Sequence, residues 1–381
     1  MSDDVTPFRL EATEAELADL RERLRRIRWP EPETVQDWSQ GTPLAYVADL
    51  CRYWLQEYDW AAAQVRLNRF PQFLTRVDDL EIHFLHVRSR HDSATPLVMT
   101  HGWPGSVVEF RKVIAPLTDP EAFGGTAADA FHVVCPTLPG FGFSGKPDQP
   151  GWGVERIADA WDQLMGRLGY HRYGAQGGDW GSEVSLALGR RHPGHVLGVH
   201  VNFVVAFPDP GTISDLTERE REALAAGGRH RAQGAGYAAI QSTRPQSVGY
   251  GLVDSPAALC AWIVEKFQAW SDCDGDPLNV FSREELLDNV MLYWLGGGAG
   301  ASSARLYWES YGRRGSDPVP VPAGCSIFPR EIYRPSRRWA EPLFTDLRYW
   351  NELDRGGHFA ALEQPTVFVD EVRSAFRSFA D

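Results

Sequence analysis

The sequence predicts an α/β architecture, a mostly parallel central sheet with helices on both faces, preceded by a helical N-terminal extension and interrupted by a helical insertion. Three observations carry this. Between residues 95 and 205, short apolar runs alternate with amphipathic segments, the rhythm of strands joined by crossover helices. From about residue 206 to 318 that rhythm stops and helical spacing takes over; strand signals return from residue 319. The segment up to about residue 75 reads as a mostly helical leader. The expected division is an N-terminal extension wrapping the core (1–75), a first part of the α/β core (76–205), a helical cap (206–318) and a second part of the core (319–381).

The elements follow in order. "TEAELADLRERLRRIRWPEP" opens with Thr13 three residues before Glu16, a capping-box pattern. Leu17, Leu20, Leu24 and Ile27 then recur at helical spacing up to Pro30. "PLAYVADLCRYWLQEYDWAAAQVRLNRF" reads as a second helical segment. "FLTRVDDLEIHFLHVRS" alternates around Asp78-Asp79 and reads as a β-hairpin. After it come a strand ("TPLVMT"), a helix ("VVEFRKVIAPL"), a strand with a Pro/Gly-rich loop ("FHVVCPTLPGFGFS"), a helix ("VERIADAWDQLMGRLG"), a strand ("RYGAQG") and a helix ("SEVSLALGRRHP"). The insertion carries helices in "TEREREALAA", "SPAALCAWIVEKFQAW" and "SREELLDNVMLYWLGGG". "CSIFPREIY" and "LRYWNELDRGGHFA" bring back the strands, and "PTVFVDEVRSAFRSF" closes with a helix. "GGGAGASS" lacks a lysine and follows no strand, so it reads as a loop rather than a phosphate cradle.

Composition narrows the class. The 381 residues carry a net charge of −13, which disfavours a nucleic-acid partner, since phosphate binding needs a basic stripe. Five scattered cysteines without a CxxC spacing argue against a disulfide framework or a zinc site and fit a reducing compartment. "MSDDVTPFRLEATEAEL" has no apolar signal region, and no apolar run approaches about 18 residues. The expectation is a cytoplasmic protein without a membrane span. The histidines of "HPGHVLGVH" (His192, His195, His200) span a helix end and a strand and are not read as metal ligands; no metal or organic cofactor is expected.

The chemistry concentrates at "YGAQGGDWGSEVSLALG". Gly177-Gly178-Asp179-Trp180-Gly181 lies between a strand and a helix, the context of a nucleophile elbow, where glycines permit a tight turn. The bland alternative is that Asp179 is a helix N-cap. "THGWPG" ends an earlier strand and can supply the Trp103 backbone N–H to an oxyanion hole, paired with that of Trp180. His358, in the loop "RGGHFAALEQP", follows the last strand; Glu331, in "SIFPREIYRP", precedes it and can orient an imidazole. The order Asp179, Glu331, His358 is the nucleophile–acid–base order of α/β-hydrolases.

The blocks "HGWPGSVVEF", "PTLPGFGFSGKP", "YGAQGGDWGS", "GYAAIQSTRPQSVGYGLVDSPAALCAWIVEKFQAW", "LLDNVMLYWL", "FPREI" and "GGHFAALEQP" occur in this order over nearly the whole chain. In them the chain resembles the microsomal-type epoxide hydrolases, and it looks like a soluble bacterial member lacking their membrane-anchoring helix. The resemblance implies an α/β-hydrolase fold and opening of an epoxide to a vicinal diol through an alkyl-enzyme ester. It also implies two cap tyrosines as donors to the epoxide oxygen: Tyr237 in "GYAAIQSTRP" and Tyr307 in "SSARLYWESY", with Tyr311, one helical turn on, and Tyr293 as competitors for the second place.

Asp179 is then the nucleophile, His358 the base that activates water, and Glu331 its partner. The expected partners are water and a small apolar epoxide, with an aryl group suggested by Trp103, Trp180, Phe141 and Phe143; self-association is left open. Two other readings stay open. A haloalkane dehalogenase uses the same nucleophile, and Trp180 would suit halide binding. A non-catalytic binding protein could use the cap pocket.

Overall fold

The computed structural model describes residues 4–313, 315 and 317–380. Among them, nine strands form one sheet: β1 (Thr6–Phe8), β2 (Gln72–Val77), β3 (Leu80–Val87), β4 (Thr95–Thr100), β5 (Phe131–Pro136), β6 (Tyr173–Gly177), β7 (Val196–Val201), β8 (Val319–Ile327) and β9 (Phe344–Glu352). Their spatial order is β1-β2-β3-β5-β4-β6-β7-β8-β9. From β5 to β9 every neighbouring pair is parallel; β1, β2 and β3 add an antiparallel margin. The central parallel strands are buried on both faces, so β5 and β6 are buried along their whole length and show no alternation. In the β2–β3 hairpin, Asp78 and Asp79 both take positive φ (49° and 65°), as a tight two-residue turn requires.

The helix Glu14–Arg25 has the expected capping box at Thr13 and buries Leu17, Leu20 and Leu24; Ile27 and Pro30 lie beyond its end. The mostly helical leader differs in detail from the expectation, while β2 begins within a residue of the expected hairpin. Thr6–Phe8 is a strand on the sheet margin, and the second helical segment is two helices, Leu44–Gln56 and Trp60–Leu67. "VVEFRKVIAPL" likewise breaks, into a 3₁₀ turn (Val107–Phe110) and a short helix (Ile114–Thr118). A continuous helix would place Pro116 in its interior, where the ring clashes and an N–H is missing; in the short helix it lies in the first turn, which tolerates it.

The insertion folds as helices over the carboxyl ends of the strands. They include Glu218–Arg229, Gly236–Thr243, Pro245–Asp254, Pro256–Trp270, Arg283–Trp294 and Gly300–Ser310. "GGGAGASS" is only partly a loop. Gly296, Gly297 and Gly298 turn with positive φ, but Gly300–Ser303 begin a helix, held where Ser302 Oγ donates to Gly140 O at 2.6 Å. The leader fastens this layer to the core. Asp288, on a cap helix, has a fully buried side chain that receives Arg66 from the leader (2.9 Å), Arg111 from the core (2.7 Å) and the Tyr58 hydroxyl (2.8 Å). A buried carboxylate is tolerated because these charged donors satisfy it. Among the described residues no single helix is long and apolar enough to cross a membrane.

Candidate active site

Asp179 sits between β6 and the helix Trp180–Arg191 with φ 51° and ψ −127°, outside the regions a side chain prefers. The flanking glycines make the turn possible. A Cβ on Gly177 would lie 2.0 Å from Gly181 O, and one on Gly181 would lie 1.8 Å from Thr100 O. The capping alternative fails: Asp179 occupies the N-cap position, yet its side chain makes no cap bond. Its Oδ1 instead accepts the Trp103 N–H at 2.8 Å, and the Trp180 N–H also reaches the carboxylate. The second oxygen, Oδ2, lies 3.6 Å from His358 Nε2.

His358 is held from behind. Its Nδ1 lies 2.7 Å from Glu331 Oε1, its own backbone N–H donates to Trp270 O at 2.8 Å, and Phe203, Trp270 and Phe359 pack around the ring. Glu331 Oε1 also accepts the Ile332 N–H at 2.7 Å, fixing the carboxylate. Burial disfavours the imidazolium, but Glu331, then Asp179 and Glu109, outweigh it and raise the His358 pKa from 6.5 to about 9. Burial pushes the Asp179 pKa up, opposed by His358 and by the Trp103 and Trp180 amides.

Tyr237 and Tyr307 meet above the carboxylate. The Tyr237 ring stacks on Trp103 (centroids 4.9 Å, 8°) and meets Tyr307 edge-on at 5.6 Å. Tyr307 packs edge-on against Trp180 at 4.9 Å. Both tyrosines are buried, and burial together with the nearby Asp179 charge raises their pKa values well above 10, so they hold their protons at neutral pH. The competitors separate by position. Tyr311 is 49% exposed, and Tyr293 donates its hydroxyl to Gly105 O at 2.7 Å, so it is already committed to the backbone.

Some expectations need correction. Phe143 packs against Phe8 and His83 at the sheet margin, and Phe141 lies under the loop against His101 and Tyr293. Neither belongs with Trp103 and Trp180 beside the carboxylate. His192 and His195 do gather, with Asp162, but His200 is elsewhere, bonded to Ser326. The cluster lies at the opposite end of the sheet from Asp179; both histidines pair with Asp162, and His192 also with Asp159, which Arg191 holds.

Sequence reasoning missed the residues that hold the Trp103 loop. Asn289 Nδ2 donates to Pro104 O at 2.8 Å, so a cap helix fixes the turn that presents Trp103 N–H. It also missed Glu109, whose carboxyl lies where a Gly105 side chain would be; burial raises its pKa to about 8. Glycine at 105 beside a carboxylate four residues later was the available signal.

Comparisons with known proteins give the family and the fold. Residues 5–110 match the family model described as the epoxide hydrolase N terminus, and residues 95–220 match that of the alpha/beta hydrolase fold. A Stigmatella aurantiaca protein is 54% identical over 98% of this chain and 85% of its own. Epoxide hydrolase 1 of Oryctolagus cuniculus is 34% identical over 97% of this chain and 88% of its own. The crystal structure of juvenile hormone epoxide hydrolase from the silkworm Bombyx mori superposes with TM-score 0.91 at 30% identity, covering 100% of this chain and 95% of that one. The Aspergillus niger epoxide hydrolase gives 0.89 at 32%, covering 99% and 97%.

Proposed function

The chain belongs to the epoxide hydrolase family, with the α/β-hydrolase fold and hydrolysis of epoxide ether bonds as its activity, and from that premise we propose that Asp179, His358, Glu331, Tyr237 and Tyr307 carry the reaction. The observation that carries the reading is the divided Asp179 carboxylate, one oxygen on the Trp103 amide and the other facing His358 Nε2.

Asp179 attacks an epoxide carbon in line, and the C–O bond of the ring breaks. Negative charge develops on the departing oxygen, where Tyr237 and Tyr307 donate hydrogen bonds and a proton; general acid help of this kind is typically about 10²–10⁴-fold. The product is an ester of Asp179. A serine would leave an ether that water could not remove, whereas the ester is hydrolysable. Ester formation also cancels the Asp179 charge, one of the contributions that keep His358 protonated. The imidazole then releases its proton more easily, which restores the one the tyrosine pair gave up, and the neutral ring can take a proton from water. That water attacks the ester carbonyl, and the Trp103 and Trp180 amides receive the oxyanion (about 2.7–4 kcal/mol per donor); its collapse breaks the bond to the alkyl oxygen, which takes the acid's proton and leaves as the vicinal diol, returning Asp179 as a carboxylate.

The proposed substrate is a small apolar epoxide, aryl-substituted by preference, because Trp103, Trp180, Tyr237 and Tyr307 form its surroundings. A cytoplasmic location is proposed with it; the five cysteines are all unpaired and buried. One observation keeps halide displacement as a second reading: the Trp180 indole is buried directly after Asp179 in the chain, its N–H within reach of the site. The paired tyrosines favour the epoxide, since a halide leaves without a proton. Chloride release from a haloalkane, without diol from an epoxide, would reverse that preference. The main test is a single turnover in ¹⁸O-water. Direct attack by Asp179 predicts that the first-formed diol carries no label and the enzyme does; label in that diol refutes it.

A further inference from the structure

The helix Pro256–Trp270 buries a lysine. Lys266 is 2% exposed, and its ammonium donates to Glu265 Oε1 at 2.7 Å. Lysine is almost never buried this far unless it is paired, and an apolar side chain would fill the site without the desolvation cost. Adjacent helix positions do not face one another, so the pair with Glu265 does not by itself explain where the ammonium points. It points at aromatic faces. Nζ lies 4.5 Å from the centroid of the Tyr237 ring and 5.7 Å from that of Trp270.

Lys266 and Glu265 also line an open groove of about 810 Å³ with His230, Gln233, Tyr237 and Ile240. Glu265 is the more exposed of the pair, so the anion faces the groove and the cation faces the tyrosine. His230 does not compete as a cation: burial, then the neighbouring Lys266, hold its pKa down at about 4. The remaining charged or titratable groups around Tyr237 are Asp179, Tyr307, Tyr311 and Tyr333.

We propose that Lys266 is an electrostatic positioning residue for ring opening, stabilising the negative charge that spreads into the Tyr237 ring as its hydroxyl gives up a proton. This rests on the reading of Tyr237 as a proton donor. A cation over a ring face attracts a neutral phenol weakly and a phenolate strongly. Its contribution is therefore larger in the transition state than in the ground state, which is the condition for raising a rate. Lys266 acts only on the step in which Tyr237 changes charge.

The test uses styrene oxide and stopped-flow tryptophan fluorescence, which follows formation and decay of the alkyl-enzyme separately. Lys266→Met is expected to slow ester formation about tenfold and to leave ester hydrolysis within about twofold. Lys266→Arg should recover most of the rate. Lys266→Gln, neutral but polar, should match the methionine variant and so exclude a packing defect. In a Tyr237→Phe background, Lys266→Met should cost nothing further. Equal losses in both backgrounds, or a loss confined to ester hydrolysis, would overturn the inference. A normal Tyr237→Phe loss with no Lys266→Met loss would overturn it alone. Ester formation at the parent rate in Tyr237→Phe would instead overturn the donor assignment, and this inference with it.

Discussion

Replacing Glu331 by glutamine separates the two half-reactions. Glutamine keeps the shape and can still accept the Ile332 N–H, but it removes the charge 2.7 Å from His358 Nδ1. Both side chains are almost entirely buried, so solvent screens little of that interaction. The His358 pKa stands at about 9 rather than 6.5 although burial opposes the rise. At about 1.36 kcal/mol per unit, the surrounding carboxylates favour the imidazolium by more than about 3 kcal/mol, and Glu331 is the largest of them. Without it, burial is opposed only by the remaining carboxylates, the His358 pKa falls, and the ring is free to adopt the wrong tautomer. Loss of a comparable carboxylate partner costs about 10⁴-fold in a serine protease triad. The expected result here is a fall of about 10³–10⁴-fold in ester hydrolysis, with ester formation, which needs no base, reduced by less than about tenfold. Rapid quench followed by intact-mass measurement reads both steps. The alkyl-enzyme should accumulate as a mass increase equal to that of the epoxide. Equal slowing of both steps, or no adduct while hydrolysis is slow, would refute the assignment of Glu331 and His358 to the second step.

Further outcomes follow from the same geometry. Tyr307→Phe should slow ester formation about 10²-fold, while half-exposed Tyr311→Phe should stay within about twofold of the parent; rapid quench distinguishes them. Gly181→Ala drives a methyl into the Thr100 carbonyl and should lower stability by at least about 3 kcal/mol, read by denaturant unfolding. Glu109 has a folded-state pKa of about 8 against an ordinary 4.5. The folded chain therefore holds a proton that the unfolded chain has lost, and the stability Glu109 contributes below pH 4.5 is lost as pH rises through 8. Glu109→Gln should remove that loss, gaining on the order of 1–3 kcal/mol over the parent at pH 8 and nothing near pH 4; paired thermal melts at the two pH values measure it.

Much of this protein is legible in one dimension because its determinants are local. A turn that must place Asp179 at φ 51° needs glycines two residues away on either side, and "GGDWG" records that need directly. Alternating strands and helices record the sheet, and paired aspartates record the hairpin. The chain order of Asp179, Glu331 and His358 suffices to nominate them, since each lies in a loop just beyond a strand of the parallel sheet.

What the local pattern cannot hold is the outcome of long-range packing. Three residues of β1 form a strand only because β2 offers them an open edge. Phe143 reads as a pocket residue until Phe8 and His83 claim it. Tyr307 and Tyr311 lie one helical turn apart, and only the surrounding Trp103, Trp180 and Tyr237 bury one and leave the other half exposed. Glu109 and Lys266 look like surface charges in sequence, yet packing half-buries the first, buries the second and sets them close to Asp179 and Tyr237. Sequence alone determined which chemistry the elbow carries, because backbone sterics act over five residues. Tertiary structure decided which aromatic and charged side chains tune that chemistry, because desolvation and Coulomb forces depend on neighbours far away in the chain.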